Sequence, residues 1–305
     1  MSFPLFHRPG TVVFLDDDPD YLEMLALVLP RQWHVRLFAR PADCVAKLRE
    51  EPPFWEADAW NQQQLVDHWR AGKPLVPQIL DYWSRSTERY ALSRACVVDF
   101  SMPGMDGLQV LSELQDWAGA RVLLTGQADE QVAVDAFNRG LIEQFIAKQM
   151  PEMSRHLVQV VQRLVAAPHP RHAQIWRATL KPEHHTLLRD PDVARELGAL
   201  ASRRWVEHVV IGEPFGILGL DAAGFASWLQ LETPAGLPAL AEVAQEAGLA
   251  SDLVDEIRSG RKLANVELCA GLSQAPEAAE AFPVGGPQLL GALFPIEGPG
   301  AGDGG

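Results

Sequence analysis

The sequence predicts an α/β protein, in which a doubly wound, five-stranded parallel sheet carries a helical-hairpin insertion and is followed by a smaller α+β domain. Short apolar strands alternate with amphipathic helices over residues 1–166, which is typical of a parallel sheet with helices on both faces. A tryptophan-rich insertion interrupts this alternation at residues 51–94. The composition changes after residue 166, so we expect the α+β domain over residues 167–273 and a flexible, glycine- and proline-rich tail over residues 274–305.

The predicted strands are short runs of β-branched and other apolar residues, and a helical pattern follows each of them. The strands cover residues 11–15, 34–38, 95–99, 121–125 and 144–148, and the helices begin near residues 19, 41, 108, 129 and 151. Parallel strands end at one edge of their sheet, where doubly wound proteins bind their ligands. The polar residues at these strand ends form the predicted functional site, and they are Asp16, Asp17, Asp99, Thr125 and Lys148.

The insertion at residues 51–94 contains four of the nine tryptophans of the chain. Its apolar residues recur at helical spacing in two stretches, which residues 72–77 separate with a glycine and two prolines. This pattern predicts a helical hairpin. Two interpretations of its aromatic residues are open: they pack the helices on each other and on the sheet domain, or they form a docking surface for a partner or for a homodimer.

The smaller domain is predicted to contain two helices, three strands and two further helices in that order. The helices cover residues 172–180, 191–205, 237–247 and 251–258, and the strands cover residues 207–212, 215–220 and 225–232. Turn residues between the last two strands predict a hairpin. Because adjacent side chains point apart on a helix, His184 and His185 are interpreted as loop residues.

The composition restricts the class of protein. A net charge of −14 at pH 7 repels phosphate backbones, and no basic cluster lies in a helix-turn-helix pattern, so DNA is not an expected partner. No apolar run approaches the ~20 residues of a membrane helix, and residues 1–10 lack the apolar core of a signal peptide. We therefore expect a cytoplasmic protein without a membrane segment. Its three cysteines are too few for a disulfide framework and are expected to be reduced.

Four motifs stand at the strand ends, and the most specific of them is the aspartate-containing loop after the third strand. They are FLDDDPD from residue 14, VVDFSMPGMDG from residue 97, LLTG from residue 123 and FIAK from residue 145. In this order they resemble the receiver domain of two-component response regulators, here with an unusual helical insertion and an unassigned C-terminal domain. The resemblance covers about residues 10–165 outside the insertion and implies a flavodoxin-like fold.

Three carboxylates are predicted to meet at one edge of the sheet. They would repel one another and raise each other's pKa, and a hard cation with oxygen ligands relieves this repulsion. Mg²⁺ is therefore the predicted cofactor. The resemblance implies that Asp16, Asp17 and Asp99 hold the metal together with the backbone carbonyl of Ser101. The third acid of the first motif, Asp18, is expected to cap the following helix instead.

The resemblance also assigns the chemistry of phosphorylation. Asp99 would be the nucleophile that accepts a phosphoryl group, and Thr125 and Lys148 would bind the phosphoryl oxygens. Phe145 occupies the aromatic switch position of the family, and an ordinary core role is equally compatible with a strand phenylalanine. Receivers usually have a cis proline directly after the lysine, whereas Gln149 follows it here. Because a non-proline cis bond costs ~3 kcal/mol, we expect a trans bond and a differently shaped loop.

The resemblance implies a function in phosphorelay signal transduction. The chain would accept a phosphoryl group from a sensor histidine kinase and act on a downstream protein partner through its C-terminal domain. At most slow autophosphatase activity is expected, so the chain is not predicted to be an enzyme.

Two alternative functions are kept. A haloacid-dehalogenase-type phosphatase would use Asp16 as the nucleophile and Asp18 as general acid and base. It would also need a further acidic pair at a strand end, and the acids at residues 190–192 follow a helical rather than a strand-like stretch. A receiver coupled to a small-ligand sensory module is suggested by the glycine-bearing hairpin at residues 212–219 with Trp228 beside it.

Overall fold

The computed structural model describes residues 2–86, 90–126, 130–167 and 170–296. The chain divides into two units. The parallel-sheet unit consists of Pro9–Trp60 and Glu88–Ala167, and the antiparallel-sheet unit consists of Met1–Arg8, Asn61–Thr87 and Pro168–Gly305. The composition of the second unit differs from the predicted organisation. Part of the insertion and the N-terminal residues group with the C-terminal part of the chain.

The secondary structure alternates strands with helices along most of the chain. The strands are β1 (Phe6–His7), β2 (Thr11–Leu15), β3 (His34–Phe38), β4 (Ser93–Asp99), β5 (Ala120–Thr125), β6 (Gln144–Ala147), β7 (Glu207–Gly212), β8 (Phe215–Leu220), β9 (Ala226–Glu232), β10 (Lys262–Ala264), β11 (Ala278–Glu280), β12 (Phe282–Pro283) and β13 (Leu290–Pro295). The helices are α1 (Pro19–Val28), α2 (Pro41–Arg49), α3 (Pro52–Arg70), α4 (Leu75–Arg85), α5 (Gly107–Glu113), α6 (Glu130–Asn138), α7 (Met153–Ala166), α8 (Pro170–Arg177), α9 (Pro182–Arg189), α10 (Pro191–Arg204), α11 (Leu237–Glu246), α12 (Ser251–Arg258) and α13 (Val266–Leu272).

The parallel-sheet unit contains a five-stranded sheet in the order β3-β2-β4-β5-β6, in which neighbouring strands are parallel. Successive strand residues point to opposite faces of the sheet. On β2, Val12 and Phe14 pack in the core shared with α1 and α7, whereas Val13 and Leu15 pack in the core shared with α2, α5 and α6. Helices on both faces confirm the predicted doubly wound, flavodoxin-like fold. The first residue of the predicted fourth helix, Asp129, lies outside the described residues.

The insertion forms two consecutive helices, α3 and α4, which confirms the predicted helical hairpin. They are joined near Gly72, whose φ of +95° lies in the region that glycine adopts at little cost. Of the four tryptophans, Trp55 and Trp83 are buried, and Trp60 is exposed. The burial of Trp55 and Trp83 supports the packing interpretation for these two residues. An interface between two copies of the chain through the insertion stays a prediction.

The antiparallel-sheet unit contains a six-stranded sheet in the order β1-β7-β8-β9-β13-β12. The predicted strands at residues 207–212 and 215–220 are present, and the last two predicted strands form the expected hairpin, β8 and β9. At one edge of this sheet, β1 pairs antiparallel with β7, so that Phe6 lies opposite Val209. The N-terminus therefore contributes a strand to a unit that is otherwise built mostly from the C-terminal part of the chain.

The predicted tail at residues 274–305 is wrong over its first two thirds, where the structure has ordered strands. β13 pairs with β9 along its whole length, from Leu290 opposite Glu232 to Pro295 opposite Ser227. The reason is a short apolar run at residues 289–296 within a glycine- and proline-rich composition, and that run supplies core residues such as Ala292 and Phe294. Residues 297–305, which contain the GPGAGDGG sequence, lie outside the described residues.

The interpretation of His184 and His185 as loop residues is also wrong, because both lie on α9. Pro182 occupies the first turn of this helix, where its missing N–H is not needed. The ring of His184 accepts a hydrogen bond from the amide of Lys181 at 3.3 Å and so caps the helix, which a sequence pattern of two adjacent histidines does not reveal. Within the described residues, none of the helices combines the length and apolarity that a membrane crossing requires.

His208 on β7 makes the stability of the antiparallel-sheet unit depend on pH. Its Nε2 donates to the Pro4 carbonyl at 3.2 Å, and burial lowers the pKa of His208 to about 4. Because the unfolded chain binds this proton below pH ~6.5 and the folded chain does not, stability is full above pH ~6.5 and falls as the pH decreases toward 4.

We expect His208 to contribute a loss of about 2 kcal/mol in the free energy of unfolding between pH 7.5 and pH 5. Urea denaturation of the wild type, of His208→Gln and of the exposed control His68→Gln at both pH values measures this difference. The His208→Gln protein should lose less stability on acidification than the wild type, whereas the His68→Gln protein should behave as the wild type does. Equal pH dependence in all three proteins would contradict the assignment.

Candidate functional site

The strand order brings the predicted site residues to one edge of the parallel sheet. β4 lies between β2 on one side and β5 on the other, and β6 follows β5. Asp99 ends β4, Thr125 ends β5, and Asp16 directly follows β2. Lys148 directly follows β6. Side chains that are far apart in the sequence therefore meet at the carboxyl ends of four parallel strands, as ligand-binding groups do in this fold class.

Three carboxylates form the acidic part of the site. One oxygen of each of Asp16, Asp17 and Asp99 lies within 4.8 Å of the others. Asp16 and Asp99 are buried, whereas Asp17 is exposed. Asp18 has a different role, because its side chain accepts hydrogen bonds from the amides of Asp20 and Tyr21 and caps α1. The first two aspartates of the run thus belong to the site and the third belongs to the helix.

Lys148 joins the two buried carboxylates. Its ammonium nitrogen lies 2.7 Å from Asp16 Oδ2 and 2.7 Å from Asp99 Oδ1. Burial alone would lower the pKa of Lys148, but the hydrogen bonds and negative charges of the two aspartates outweigh it and raise this pKa. Burial raises the pKa of Asp99, and the ammonium of Lys148 opposes this shift. The bridge therefore keeps the lysine protonated between two carboxylates that are otherwise costly to bury.

Backbone amides hold the other oxygens of the same carboxylates. The amide of Asp18 donates to Asp16 Oδ1 at 3.0 Å, and the amide of Ser101 donates to Asp99 Oδ2 at 3.2 Å. Ser101 thus lies beside Asp99, and coordination of a metal by its carbonyl stays a prediction. The loop also packs closely against β4: a Cβ atom at Gly107 would lie 2.3 Å from the Asp99 carbonyl oxygen. Only glycine permits this approach at the end of the SMPGMDG segment.

The hydroxyl of Thr125 is fully buried, and it has no hydrogen-bond partner among the described residues. The carbonyl of Thr125 accepts a hydrogen bond from the amide of Lys148 at 2.8 Å, which ties the ends of β5 and β6 together. A buried hydroxyl without a partner costs about 1–3 kcal/mol, so native proteins rarely retain one without a reason. This hydroxyl is therefore available to a group that enters the site.

Tyr21 is a site residue that the sequence analysis missed, because its position in the apolar stripe of α1 indicated a packing role. The ammonium of Lys148 lies 4.5 Å from the centre of its ring, within the range of a cation–π interaction. Burial above all raises the pKa of Tyr21 to about 12, and the ammonium opposes this shift. The available signal in the sequence was its position in the first turn of the helix that Asp18 caps.

The end of β6 shows two further expected features. Phe145 lies on β6 and is partly buried against the core beneath α2, α5 and α6, so its switch role stays a prediction. In the described part of the chain, the cis peptide bond is the one between Glu213 and Pro214, so the bond after Lys148 is trans, as expected. Glu152, just before α7, adopts a left-handed conformation with φ of 53°. The departure from the usual proline therefore leaves the lysine in contact with both carboxylates.

The charges of this site fit a divalent cation. Asp16, Asp17 and Asp99 carry three negative charges when ionised, and Lys148 carries one positive charge, so two negative charges are left without compensation. Carboxylate oxygens are the ligands that Mg²⁺ prefers in proteins. The donor set of these three residues therefore suits Mg²⁺ in number, type and charge.

We expect Thr125→Val to stabilise the protein by about 1 kcal/mol, because the substitution removes a buried hydroxyl without a partner among the described residues and preserves the shape of the side chain. Urea denaturation measures the change. The matched control is Thr11→Val at the start of β2, where the hydroxyl donates to the Tyr90 carbonyl at 2.8 Å and its loss should destabilise the protein. Destabilisation of similar size in both variants would show that the Thr125 hydroxyl has a partner after all.

Comparisons with known proteins agree with this geometry. No curated protein matches the sequence of the chain. Over nearly its whole length the chain is similar to the solved structure of the Legionella pneumophila response regulator LqsR, with 23% sequence identity, a TM-score of 0.68 and coverage of 97% of this chain and 91% of that chain. A match of this kind shows a shared fold, and it extends over both units.

Two further solved structures match about half of the chain. The N-terminal signal receiver domain of a two-component system response regulator from Bacteroides fragilis is 18% identical, with a TM-score of 0.36 and coverage of 52% of this chain and 99% of that chain. An adenylate cyclase from Rhodopirellula baltica is 16% identical, with a TM-score of 0.34 and coverage of 56% of this chain and 94% of that chain.

The model of the response regulator receiver domain family matches residues 80–162. This range contains Asp99, Thr125 and Lys148, and it begins after Asp16 and Asp17, which the insertion separates from the rest of the site. Asp16 and Asp17 precede the matched range, but they follow β2, which lies beside β4 in the same sheet. The chain therefore contains a response regulator receiver domain.

Proposed function

We propose that the chain is a two-component response regulator that is phosphorylated on Asp99. The observation that carries this proposal is the ammonium of Lys148, which lies between Asp16 and Asp99 with Asp17 beside them. Asp99 ends the central strand of the sheet, so a phosphoryl group on it would lie close to Asp16, Asp17 and the ammonium of Lys148. This central position suits Asp99 as the residue that is phosphorylated, with its neighbours as the residues that bind the metal and the phosphoryl group.

The proposed reaction transfers a phosphoryl group from a histidine to an aspartate. An oxygen of Asp99 attacks the phosphorus, the bond from phosphorus to the donor nitrogen breaks, and the nitrogen leaves with the electron pair. Lys148 then pairs with the new phosphoryl oxygens instead of the Asp99 carboxylate, and the Thr125 hydroxyl donates a hydrogen bond to them. Asp16, Asp17, Asp99 and the Ser101 carbonyl would hold Mg²⁺, which when bound would supply positive charge near the transferring group.

The partners follow from the same proposal. A sensor histidine kinase supplies the phosphoryl group, and the response passes to a downstream protein partner through the antiparallel-sheet unit. The net charge of −14 argues against DNA as the target. Asp99 is consumed and regenerated only by loss of its phosphoryl group, so we propose a signalling protein with at most slow autophosphatase activity.

The alternative phosphatase reading finds less support in the geometry. It needs Asp18 as a general acid and base, but both hydrogen bonds of this side chain go to the first turn of α1. It also needs a further acidic pair, but Asp190 caps α10 by accepting from the amides of Asp192 and Val193. These residues belong to the antiparallel-sheet unit and not to the sheet that carries Asp16.

Phosphorylation of Asp99 is tested by incubating the whole chain with Mg²⁺ and acetyl phosphate and measuring intact mass, followed by mapping of the modified residue. We expect one phosphoryl group per wild-type chain, none on Asp99→Asn, and wild-type modification of Asp116→Asn, a control at an exposed position outside the site. Thr125→Val and Lys148→Met should be modified more slowly. A label on Asp16, or undiminished labelling of Asp99→Asn, would contradict the proposal and favour the phosphatase reading.

Metal binding is tested by thermal unfolding with and without Mg²⁺. A ligand at 100 times its Kd stabilises the folded state by about 2.7 kcal/mol, so the wild type should unfold at a higher temperature with saturating Mg²⁺. The Asp17→Asn variant should gain much less from Mg²⁺ and should be at least as stable as the wild type without it, because one repelling charge is gone. An equal effect of Mg²⁺ on both proteins would exclude Asp17 as a ligand.

A further inference from the structure

A cavity of about 1140 Å³ lies within the antiparallel-sheet unit, and no residue of the site described above lines it. Its walls come from the start of α4, from α9, α11 and α13, from the turn between β7 and β8, and from the end of β9. Its volume slightly exceeds the ~300–1,000 Å³ of typical small-molecule sites. The space is therefore large enough for a small organic ligand.

The glycines of the hairpin formed by β7, β8 and β9 are explained by packing and not by this cavity. A Cβ atom at Gly216 would lie 2.3 Å from the Trp228 ring, and one at Gly219 would lie 2.1 Å from the Trp205 ring. Similarly, a Cβ atom at Gly212 would lie 2.1 Å from the Thr179 carbonyl oxygen. A ligand would therefore be recognised by the polar groups that line the cavity.

Gln230 presents uncommitted donors to the cavity. It is only 5% exposed, and its Oε1 accepts a hydrogen bond from Trp228 Nε1 at 2.8 Å. The indole N–H can only donate, so the atom that faces it has to be the amide oxygen and the NH₂ group points away from the indole. This NH₂ group has no partner among the described residues, although Gln230 lines the cavity. A buried amide with two free N–H donors is what an oxygen-bearing ligand would satisfy.

His184 on α9 offers a second donor to the cavity. It is 7% exposed, its ring is stacked on Phe215 with centroids 3.9 Å apart, and its Nδ1 accepts from the Lys181 amide. Acceptance at Nδ1 places the proton of the neutral ring on Nε2. Burial lowers the pKa of His184, which favours this neutral form. Within the described part of the chain Nε2 has no partner, so it is a fixed donor at the cavity wall.

The carboxylates of the cavity outnumber its cations. Glu183, Glu213, Glu232 and Glu267 line it together with a single lysine, Lys181. The ammonium of Lys181 lies 3.1 Å from Glu213 Oε1, so it compensates the charge of this carboxylate. Three of the four carboxylates remain, and this excess disfavours anionic ligands such as nucleotides.

Glu232 is the least exposed of these four carboxylates. It lies two residues after Gln230 on β9, so both side chains point to the same face of the sheet. Its Oε1 accepts from the Thr233 amide at 2.8 Å, and among the described residues no cation pairs with it. Burial first, and then the charge of Glu267, raises the pKa of Glu232. A positive charge bound beside Glu232 would relieve this cost.

We propose that this cavity binds a small organic cation, in which an ammonium group pairs with Glu232, an oxygen accepts from Gln230 and His184, and an apolar body packs on the walls. The apolar walls include Leu75 and Val76 of α4 and Leu240 of α11. The proposal goes beyond phosphorylation of Asp99 and does not depend on it, because no residue of the receiver site takes part.

The test measures binding of three probes to the whole chain by isothermal titration calorimetry. L-Phenylalaninamide carries the ammonium, the carbonyl oxygen and an apolar ring, 3-phenylpropanamide is the neutral probe that lacks only the amino group, and 3-phenylpropanoate is an anion. We expect the cation to bind about 10-fold more tightly than the neutral probe, since a partly buried ion pair contributes on the order of one factor of ten, and the anion to bind most weakly. Absence of binding by the cation at millimolar concentration, or equal binding of all three probes, overturns the proposal.

Substitutions of single carboxylates test whether the cation binds in the cavity or elsewhere on the surface. Glu232→Gln retains the shape of the side chain and should reduce the affinity for the cation to that for the neutral probe, and Glu267→Gln should reduce it in the same direction. Glu246→Gln, at an exposed position of α11 outside the cavity, is the matched control and should bind as the wild type does. Asp99→Asn should also bind normally, so failure of this proposal and failure of the proposed phosphorylation are distinguishable. Unchanged cation affinity in both Glu232→Gln and Glu267→Gln overturns the proposal.

Discussion

The contact of one ammonium with two buried carboxylates is the interaction on which the receiver site depends. Lys148 lies 2.7 Å from Asp16 and from Asp99, although 132 residues separate it from Asp16 in the sequence. Without this charge, Asp16 after β2 and Asp99 at the end of β4 would be two buried carboxylates without a cation. Removing one partner of a buried ion pair is strongly destabilising. One ammonium does not balance three carboxylates, so the negative charge that remains at this site suits the divalent cation proposed above.

Both candidate sites bring several carboxylates together, and they differ in what compensates the negative charge. At the sheet edge the chain supplies its own lysine to the buried acids, and the remaining negative charge suits a small, hard dication. In the cavity of the antiparallel-sheet unit, Lys181 pairs with Glu213, and Glu232 has hydrogen bonds from Thr233 but no cation among the described residues. An ammonium on an apolar body fits the second environment better than a metal ion, because aliphatic residues such as Leu75, Val76 and Leu240 line the cavity together with Glu232.

The parts of the structure that follow from local periodicity could be predicted from the sequence. The strands of the parallel sheet, the two helices of the insertion and the meeting of Asp16, Asp99 and Lys148 at one edge all follow from apolar patterns and from the geometry of parallel strands. Features that depend on distant pairing could not: β1 has two residues and no periodicity, and β13 lies in a composition typical of disorder. Likewise, the contact of Tyr21 with Lys148 and the alignment of Gln230 with Glu232 at a cavity are visible only once the units are folded.

The pairing of β1 with β7 has a consequence for how the protein is made. Residues 6 and 7 leave the ribosome before any part of the receiver, but their partner strand begins at residue 207. The N-terminal strand must therefore wait, unpaired, while about two hundred residues are synthesised, and closing a loop of that length carries an entropic cost that grows with the logarithm of its length. The receiver sheet, whose last strand ends at residue 147, can assemble within that interval. Synthesis thus favours an order of folding in which the parallel-sheet unit is completed first. The antiparallel-sheet unit, which contains residues from both ends of the chain, is completed last.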